Sequence, residues 1–278
     1  MLMKVAFHGV HGAYSDVAAR RMLGPASRTM PMETFEEVFR AVARGGADRG
    51  VIPIENSLSG SIHQNYDLLL TNNLHIVGET YLLVEHVLMC HPASTLAKLK
   101  RVLSHPQALA QCSHFFSKSR QLHPQPFFDT AGAAKYIMET RSLESGAIAS
   151  AYAARMYRLR VLRRNIQDQP NNLTRFLLIS RKPWRVQNNV HSKSSICFRP
   201  VKNQPGILFR ILGVFALRDI DLLKIESRPD REKSFEYQFY VDFAGNPSDR
   251  TVANALDHLR EMTRDFRLLG SYPVGRAE

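Results

Sequence analysis

The sequence predicts an α/β protein in two parts, a long region of mostly parallel strands followed by a shorter split βαββαβ unit. Three observations carry that reading. Short apolar strands alternate with amphipathic segments through roughly the first 180 residues. The alternation breaks at residues 181–193 (RKPWRVQNNVHSK), a polar and basic stretch with one proline and the only tryptophan. Beyond it the order becomes strand, helix, strand, strand, helix, strand within about 80 residues, the ferredoxin-like pattern. The predicted division is a first domain over residues 1–181, a linker over 182–193 and a second domain over 194–278.

In chain order, residues 4–7 form an apolar strand that runs into Gly9 and Gly12, with Ser15 placed to cap a helix through Met22. Thr34 and Glu37 make a capping box ahead of Val38, Phe39 and Val42, which predicts a helix there. Residues 49–53 read as a strand ended by Pro53, then a polar loop over 55–61 and a helix carrying Tyr66 to Leu70. Residues 102–104 with 106–117, and 147–149 with 152–157, give two more strand–helix units. In the second region strands are expected over 195–199, 222–226, 236–243 and 266–269. Helices are expected to open near Pro205 and Gly206 and to cover 250–262.

Composition sets outer bounds. With 278 residues the chain has room for roughly two domains. Hydrophobic residues at 44% and charged residues at 22% suit a folded chain rather than a disordered one. No run approaches the ~18 uninterrupted apolar residues of a membrane helix, and the apolar stretch before His8 is too short for a secretory signal. Cys90, Cys112 and Cys197 are scattered and form no CxxC pair, which suits a reducing compartment and offers no zinc or disulfide frame. Lys and Arg number 37 against 25 Asp and Glu, a formal charge of +12 that draws anions of any kind. The run Arg155, Arg158, Arg160, Arg163 and Arg164 lacks any helix-turn-helix, zinc or base-stacking context. It reads as a solvated cationic face. The eleven histidines include no HExxH pair. No metal, cofactor, nucleic acid or membrane is expected.

Four segments carry candidate chemistry. Residues 51–60 (VIPIENSLSG) deliver a carboxylate, an amide and hydroxyls at a strand's C-terminal edge, where open α/β sheets bind ligands. The same residues suit a strand end that caps the next helix. Residues 171–176 (NNLTRF) set a hydroxyl proton donor, Thr174, beside a bidentate carboxylate binder, Arg175. Without context they also make an ordinary strand entrance. Residues 104–112 (SHPQALAQC) place Pro106 at a first helical position, with Gln107 and Gln111 four apart and helix-end amides open to an anion. Alone, a capped helix with a solvated His105 accounts for them better. Residues 9–15 (GVHGAYS) resemble half a phosphate loop but lack the third glycine of GxGxxG and a Walker lysine.

Together and in this order, the segments resemble the prephenate dehydratases and the related arogenate dehydratases over residues 5 to 273. The resemblance is carried by Gly9, Gly12, Tyr14 and Ser15, by PIENS at 53–57, by HPQALAQC at 105–112 and by NLTRF at 172–176. The C-terminal part is similar to an ACT domain, through Pro205, Gly206, Ile207 and Leu208 and through KIESRP at 224–229. GVHGAYS, NYDLLL at 65–70, HIVGE at 75–79 and LGSYP at 269–273 resemble the plant-type arogenate branch, although no Ser-rich transit peptide precedes the domain. Two positions depart from the family pattern. His11 stands where Pro or Glu is usual, and Ile207 stands where the effector-binding segment has Ala, crowding a phenylalanine pocket.

The resemblance implies a two-lobed catalytic domain like a periplasmic-binding protein, with the site in its cleft, followed by the ferredoxin-like ACT domain. It implies loss of water and carbon dioxide from a cyclohexadienol, prephenate giving phenylpyruvate or arogenate giving phenylalanine, driven by aromatisation without cofactor or metal. Thr174 is then the general acid, and Arg175 holds a substrate carboxylate or polarises Thr174. Ser15, Asn56 and Ser57 orient the ring hydroxyl and carboxylates, Phe176 walls the ring, and His105 and Gln107 join the substrate site. Glu55 anchors a loop or Arg175, or meets the ammonium group of arogenate. Pro205, Gly206, Ile207, Leu208, Glu226, Ser227, Arg228 and Pro229 are implied as the site for phenylalanine, the expected effector. ACT pairing implies a homodimer or homotetramer, and the compartment is the cytoplasm, or the plastid stroma for a trimmed plant-type enzyme. The alternative from another class is a non-catalytic amino-acid sensor with the same ACT domain, in which Thr174 is dispensable.

Overall fold

Strands sealed on both faces read as continuous apolar runs, and β1 (Lys4–His8) fits, with Val5, Ala6 and Phe7 fully buried. The computed structural model describes residues 2–185, 190–202, 204–229 and 236–275. They divide into two compact units, residues 2–71 with 80–177, and residues 72–79 with 178–275. After β1 come α1 (Tyr14–Leu23), β2 (Arg28–Met32), α2 (Phe35–Ala43), β3 (Arg49–Asn56), β4 (Gly60–Ser61), α3 (His63–Thr71) and β5 (His75–Leu83). The chain continues through β6 (Val87–Cys90), β7 (Arg101–Ser104), α4 (Pro106–Ala110), α5 (Ser113–Lys118), β8 (His123–Pro126), α6 (Thr130–Thr140), β9 (Ser145–Ala149), α7 (Ala151–Met156), β10 (Arg160–Arg163) and β11 (Leu173–Ser180).

These strands make two sheets. One has the order β2-β1-β3-β11-β5, with β4 hooked onto β3 and β1 parallel to both β2 and β3. The other has the order β10-β6-β9-β7-β8, with β7 parallel to β8 and β9. There β6 is antiparallel to β9 and to β10. The chain passes between the sheets at residues 84–86 and returns at 164–172. The two passes are tied together, since Val84 N–H donates to Asn172 O at 2.7 Å. This is the two-lobed layout implied by the resemblance.

Local chemistry explains most element ends. Glu37 N–H donates to Thr34 Oγ1 at 3.2 Å while Glu33 N–H donates to the Glu37 carboxylate at 3.0 Å, so the expected box starts α2. Two expectations are corrected. The strand β3 does not stop at Pro53 but runs on to Asn56; its ladder with β1 ends at Val51, before the proline's missing N–H would interrupt it. Ser15 does not cap α1, which starts one residue earlier behind Ala13; Gly12 N–H donates instead to the Asp16 carboxylate at 2.9 Å.

In the second unit, β12 (Ser192–Pro200), α8 (Ile207–Ala216), β13 (Leu222–Pro229), β14 (Tyr237–Ala244), α9 (Arg250–Met262) and β15 (Thr263–Pro273) give the expected βαββαβ order. The sheet is antiparallel, in the order β13-β14-β12-β15. The strand β12 begins at Ser192, inside the expected linker, whose residues 186–189 lie outside the described residues. Ile196, Phe198, Phe215, Val241, Phe243 and Leu256 fill one core between sheet and helices, each large side chain contributing about 1.5–3 kcal/mol on burial. Gly206 turns the chain into α8 at φ +79°. Gly270 lets β15 pass against residues 72–79, because a Cβ there would stand 2.1 Å from Ile76 O. Lys193 and Glu79 form a buried ion pair at 2.9 Å in this unit; removing one partner of such a pair costs about 3–5 kcal/mol. Among the described residues no helix is long and apolar enough to cross a membrane.

Candidate active site

A cleft of about 380 Å³ opens in the first unit, where strand ends meet the two crossing segments. Of the residues expected in a site, Ser15, Asn56, His105, Gln107, Thr174 and Phe176 line it. They come from the start of α1, the end of β3, the start of α4 and the first residues of β11. Residues separated by more than a hundred positions are thus gathered at one place. His105 also caps α4, its Nδ1 accepting from Gln107 N–H at 3.3 Å.

The centre of the arrangement is Asn56 against Thr174. Asn56 Oδ1 accepts from the N–H groups of Leu58 at 3.1 Å and Ser59 at 3.0 Å, and from the Ser59 hydroxyl at 2.8 Å. Two main-chain donors on the oxygen leave the other end of the amide as NH2. That NH2 donates to Thr174 Oγ1 at 2.9 Å and to Asn172 Oδ1 at 2.6 Å. The hydroxyl of Thr174 is therefore an acceptor towards Asn56 and keeps its own proton. Gln107 Nε2 donates to Ser59 Oγ, which adds a second support behind Asn56.

Glu55, Ser57 and Arg175 do not line the cleft. Side chains on a strand alternate, so with Thr174 and Phe176 on the cleft wall the buried Arg175 between them faces the other way. Glu55 sits opposite Ser61 in the β3–β4 pairing. Ser57 is a clamp: its Oγ donates to Asn171 O at 3.1 Å and accepts from Leu173 N–H at 2.9 Å, which ties β3 to the entrance of β11.

The loop over residues 9–13 does not act as a phosphate cradle. Val10 N–H donates to the Asp129 carboxylate at 3.1 Å, Gly12 N–H to Asp16, and Gly9 N–H to Met32 O at 2.9 Å. Those three amides and that of Ala13, which donates to Val10 O at 3.1 Å, are already occupied, two of the four by carboxylates that would repel an anion. Gly9 is required there, since a Cβ at its φ of +104° would lie 2.7 Å from the Asp129 carboxylate. His8 joins the cleft wall with its pKa below the ordinary histidine value, because burial outweighs the neighbouring carboxylates of Asp129 and Glu36.

Sequence reasoning left out four lining residues of the same polar chain: Tyr14, His86, Gln111 and Asn172. Three of them stood inside the motifs quoted above, so the signal was present for those. His86 belongs to the first crossing segment and to no motif.

In the second unit Ile207 and Leu208 line a separate hollow of about 530 Å³, together with Arg199, Arg264, Glu236, Tyr237 and Phe239. Pro205, Gly206, Glu226, Ser227, Arg228 and Pro229 lie outside its lining. On β13, Ser227 and Pro229 are exposed while Glu226 and Arg228 are half-buried.

Cleft and topology define an α/β domain with a polar-walled cleft that exposes a threonine hydroxyl, joined in one chain to a split βαββαβ domain. The prephenate dehydratase family model matches residues 5–184 and the ACT domain model matches residues 201–261. The chain belongs to the prephenate dehydratase family. Arogenate dehydratase/prephenate dehydratase 2, chloroplastic, from Arabidopsis thaliana is 47% identical over 281 residues, covering 98% of this chain and 73% of that protein. Prephenate dehydratase from Arthrobacter aurescens in complex with L-Phe is similar at 30% identity and a TM-score of 0.89, over 98% of this chain and 90% of that one. GqqA, described as a novel type of quorum quenching acylase, is 38% identical with a TM-score of 0.89 over 98% of both chains.

Proposed function

We propose that the chain removes water and carbon dioxide together from a hydroxycyclohexadiene carboxylate, converting prephenate to phenylpyruvate, arogenate to phenylalanine, or both. The observation that carries this reading is the direction of the bond between Asn56 and Thr174, which leaves the threonine proton unspent at the cleft wall. In the reaction the bond from ring C1 to its carboxylate breaks and carbon dioxide leaves. The electron pair moves through the ring and expels the C4 hydroxyl, which takes the Thr174 proton and departs as water. The Asn56 amide stabilises charge developing on Oγ1, and Oγ1 regains its proton from solvent, so one proton is consumed per turnover. A positioned acid contributes ~10²–10⁴-fold, and aromatisation supplies the driving force. Ser15, His105 and Gln107 are the polar groups available to orient substrate oxygens, and Phe176 is the wall for the ring.

Amide hydrolysis is the rival raised by GqqA. It needs a nucleophile activated by a base, and Thr174 Oγ1 instead accepts from an amide. The test is Thr174→Ala beside Thr174→Ser. The alanine variant is expected to keep its melting temperature and substrate affinity while kcat falls at least about a hundredfold, with serine restoring much of the loss. Alanine retaining more than about a tenth of normal turnover removes Thr174 from the role. An N-acyl amide in the same assay distinguishes the hydrolase.

The second domain we assign as a phenylalanine sensor, with the ligand held around Pro205, Gly206, Ile207 and Leu208 and around Glu226, Ser227, Arg228 and Pro229. The L-Phe complex of the Arthrobacter aurescens relative supports this. We assign domain limits of 1–181 and 194–278, a division supported by family matches over residues 5–184 and 201–261. The exposed Phe209 and Leu217 at the ACT domain's first helix support a homodimer or homotetramer. Three buried free cysteines and the chloroplastic relative suit a reducing compartment, cytoplasm or plastid stroma.

A further inference from the structure

His86 lies in the first crossing segment, almost fully buried, and lines the cleft without a part in the step above. Its Nε2 is 3.0 Å from Gln111 Oε1 and its Nδ1 is 3.2 Å from the Tyr14 hydroxyl. The far end of the polar chain sets the direction of the first bond. Asn56 Nδ2 donates to Asn172 Oδ1, so Asn172 turns its own NH2 towards Gln111 and donates to Oε1 at 3.2 Å. A glutamine oxygen held that way can only accept from His86. The proton of the neutral imidazole therefore sits on Nε2, and Nδ1 competes with Glu85 O, at 2.7 Å, for the Tyr14 hydroxyl proton. Burial favours that neutral ring, lowering its pKa more than the bond to Gln111 raises it. Gln111 is thus gripped by its oxygen from two sides. Its NH2 has no hydrogen-bond partner among the described residues, and the residue is on the cleft wall.

We propose that His86 is a positioning residue, which donates from Nε2 to Gln111 Oε1 and thereby holds the Gln111 NH2 towards a substrate oxygen across from Thr174. The proposal rests on the dehydratase reading for its catalytic consequence and on the amide chain alone for its geometry. It differs from a packing role, because what matters is one donor at one atom. An apolar ring or chain of similar size would fill the same space and free Gln111 to rotate.

Two measurements on the full chain separate geometry from consequence. A two-bond ¹H–¹⁵N spectrum of the ¹⁵N-histidine protein at neutral pH is expected to report His86 as the Nε2–H tautomer. The Nδ1–H tautomer would overturn the proposal without touching the dehydratase reading. In kinetics, His86→Leu is expected to lower kcat/KM about tenfold, the cost of one buried hydrogen bond, with His86→Gln, which offers an NH2 near Nε2, recovering most of it. In a Gln111→Met background, His86→Leu is expected to cost less than about twofold more, because the two losses share one cause. Losses that multiply, or a leucine variant within about twofold of the unaltered chain, would sink the positioning role. If the unaltered chain turns over neither substrate, the dehydratase reading falls and takes the catalytic role of His86 with it, while the tautomer still decides the geometry.

Discussion

Asn56 decides what Thr174 can do, because the end of its amide that faces Oγ1 decides where the threonine proton goes. Asn56→Asp keeps an acceptor for Leu58 and Ser59 but puts an oxygen where the NH2 stood. The Thr174 hydroxyl would then donate to that carboxylate, and charge developing on Oγ1 would meet a like charge. We expect kcat to fall at least about a hundredfold in a chain that still folds but melts lower, because the new oxygen also faces Asn172 Oδ1; steady-state kinetics below the melting range read the first and calorimetry the second, and near-normal kcat would mean the bond has no catalytic direction. Thr174 and Asn56 were legible because they stand in long motifs. The place of Arg175 off the cleft wall was legible too, since a strand's period of two does not put neighbours 174 and 175 on one wall. His86 was not legible, because nothing local marks a histidine whose partners Tyr14 and Gln111 lie 72 and 25 residues away.

At the level of elements, the segment 106–117 was expected as one helix and is two, broken at Gln111 and Cys112. At the break Gln111 N–H still donates to Gln107 O at 3.0 Å, but its carbonyl turns out of the ladder to accept from Asp168 N–H at 2.7 Å, and a second helix start follows that Cys112 does not cap. Asp168 supplies the cap from the return crossing, its carboxylate accepting from Ser113 N–H at 3.0 Å, the Ser113 hydroxyl at 2.7 Å and His114 N–H at 3.0 Å. No local pattern predicts a cap supplied 55 residues away, whereas the Thr34 box was readable because both its members are local. Partial burial of Asp168 raises its pKa, but those hydrogen bonds outweigh it and hold the carboxyl below the ordinary 3.8. A lowered folded-state value means the stabilisation is present above pH 3.8 and is lost as pH falls through that lower value. Asp168→Asn, which removes the charge at the helix start, is therefore expected to cost about 0.3–1 kcal/mol at neutral pH. Denaturant melts should show that gap closing in acid below pH 3.8; a gap that stays constant with pH would show the carboxylate is not the cap.

Over the whole chain, the βαββαβ region was readable from the order of its local patterns, while the order of the two sheets in the first unit was not, because strands such as β11 pair far from their sequence neighbours. The cleft belongs to that second category. It exists because two crossing segments, recognisable only as gaps between strands, are bonded together and carry His86 and Asn172 into the same place. Arg155, Arg158, Arg160, Arg163 and Arg164 are all exposed, the solvated cationic face expected from the sequence, and a formal charge of +12 would draw anions towards the chain. The proposed activity is one chemical event, the coupled loss of carboxylate and hydroxyl. The most direct measurement is carbon dioxide release from prephenate and from arogenate by the purified chain, followed together with phenylpyruvate and phenylalanine. Carbon dioxide formed mole for mole with one of those aromatic products is the predicted result. A folded chain that releases none from either substrate would contradict the account and leave the amino-acid sensor in its place.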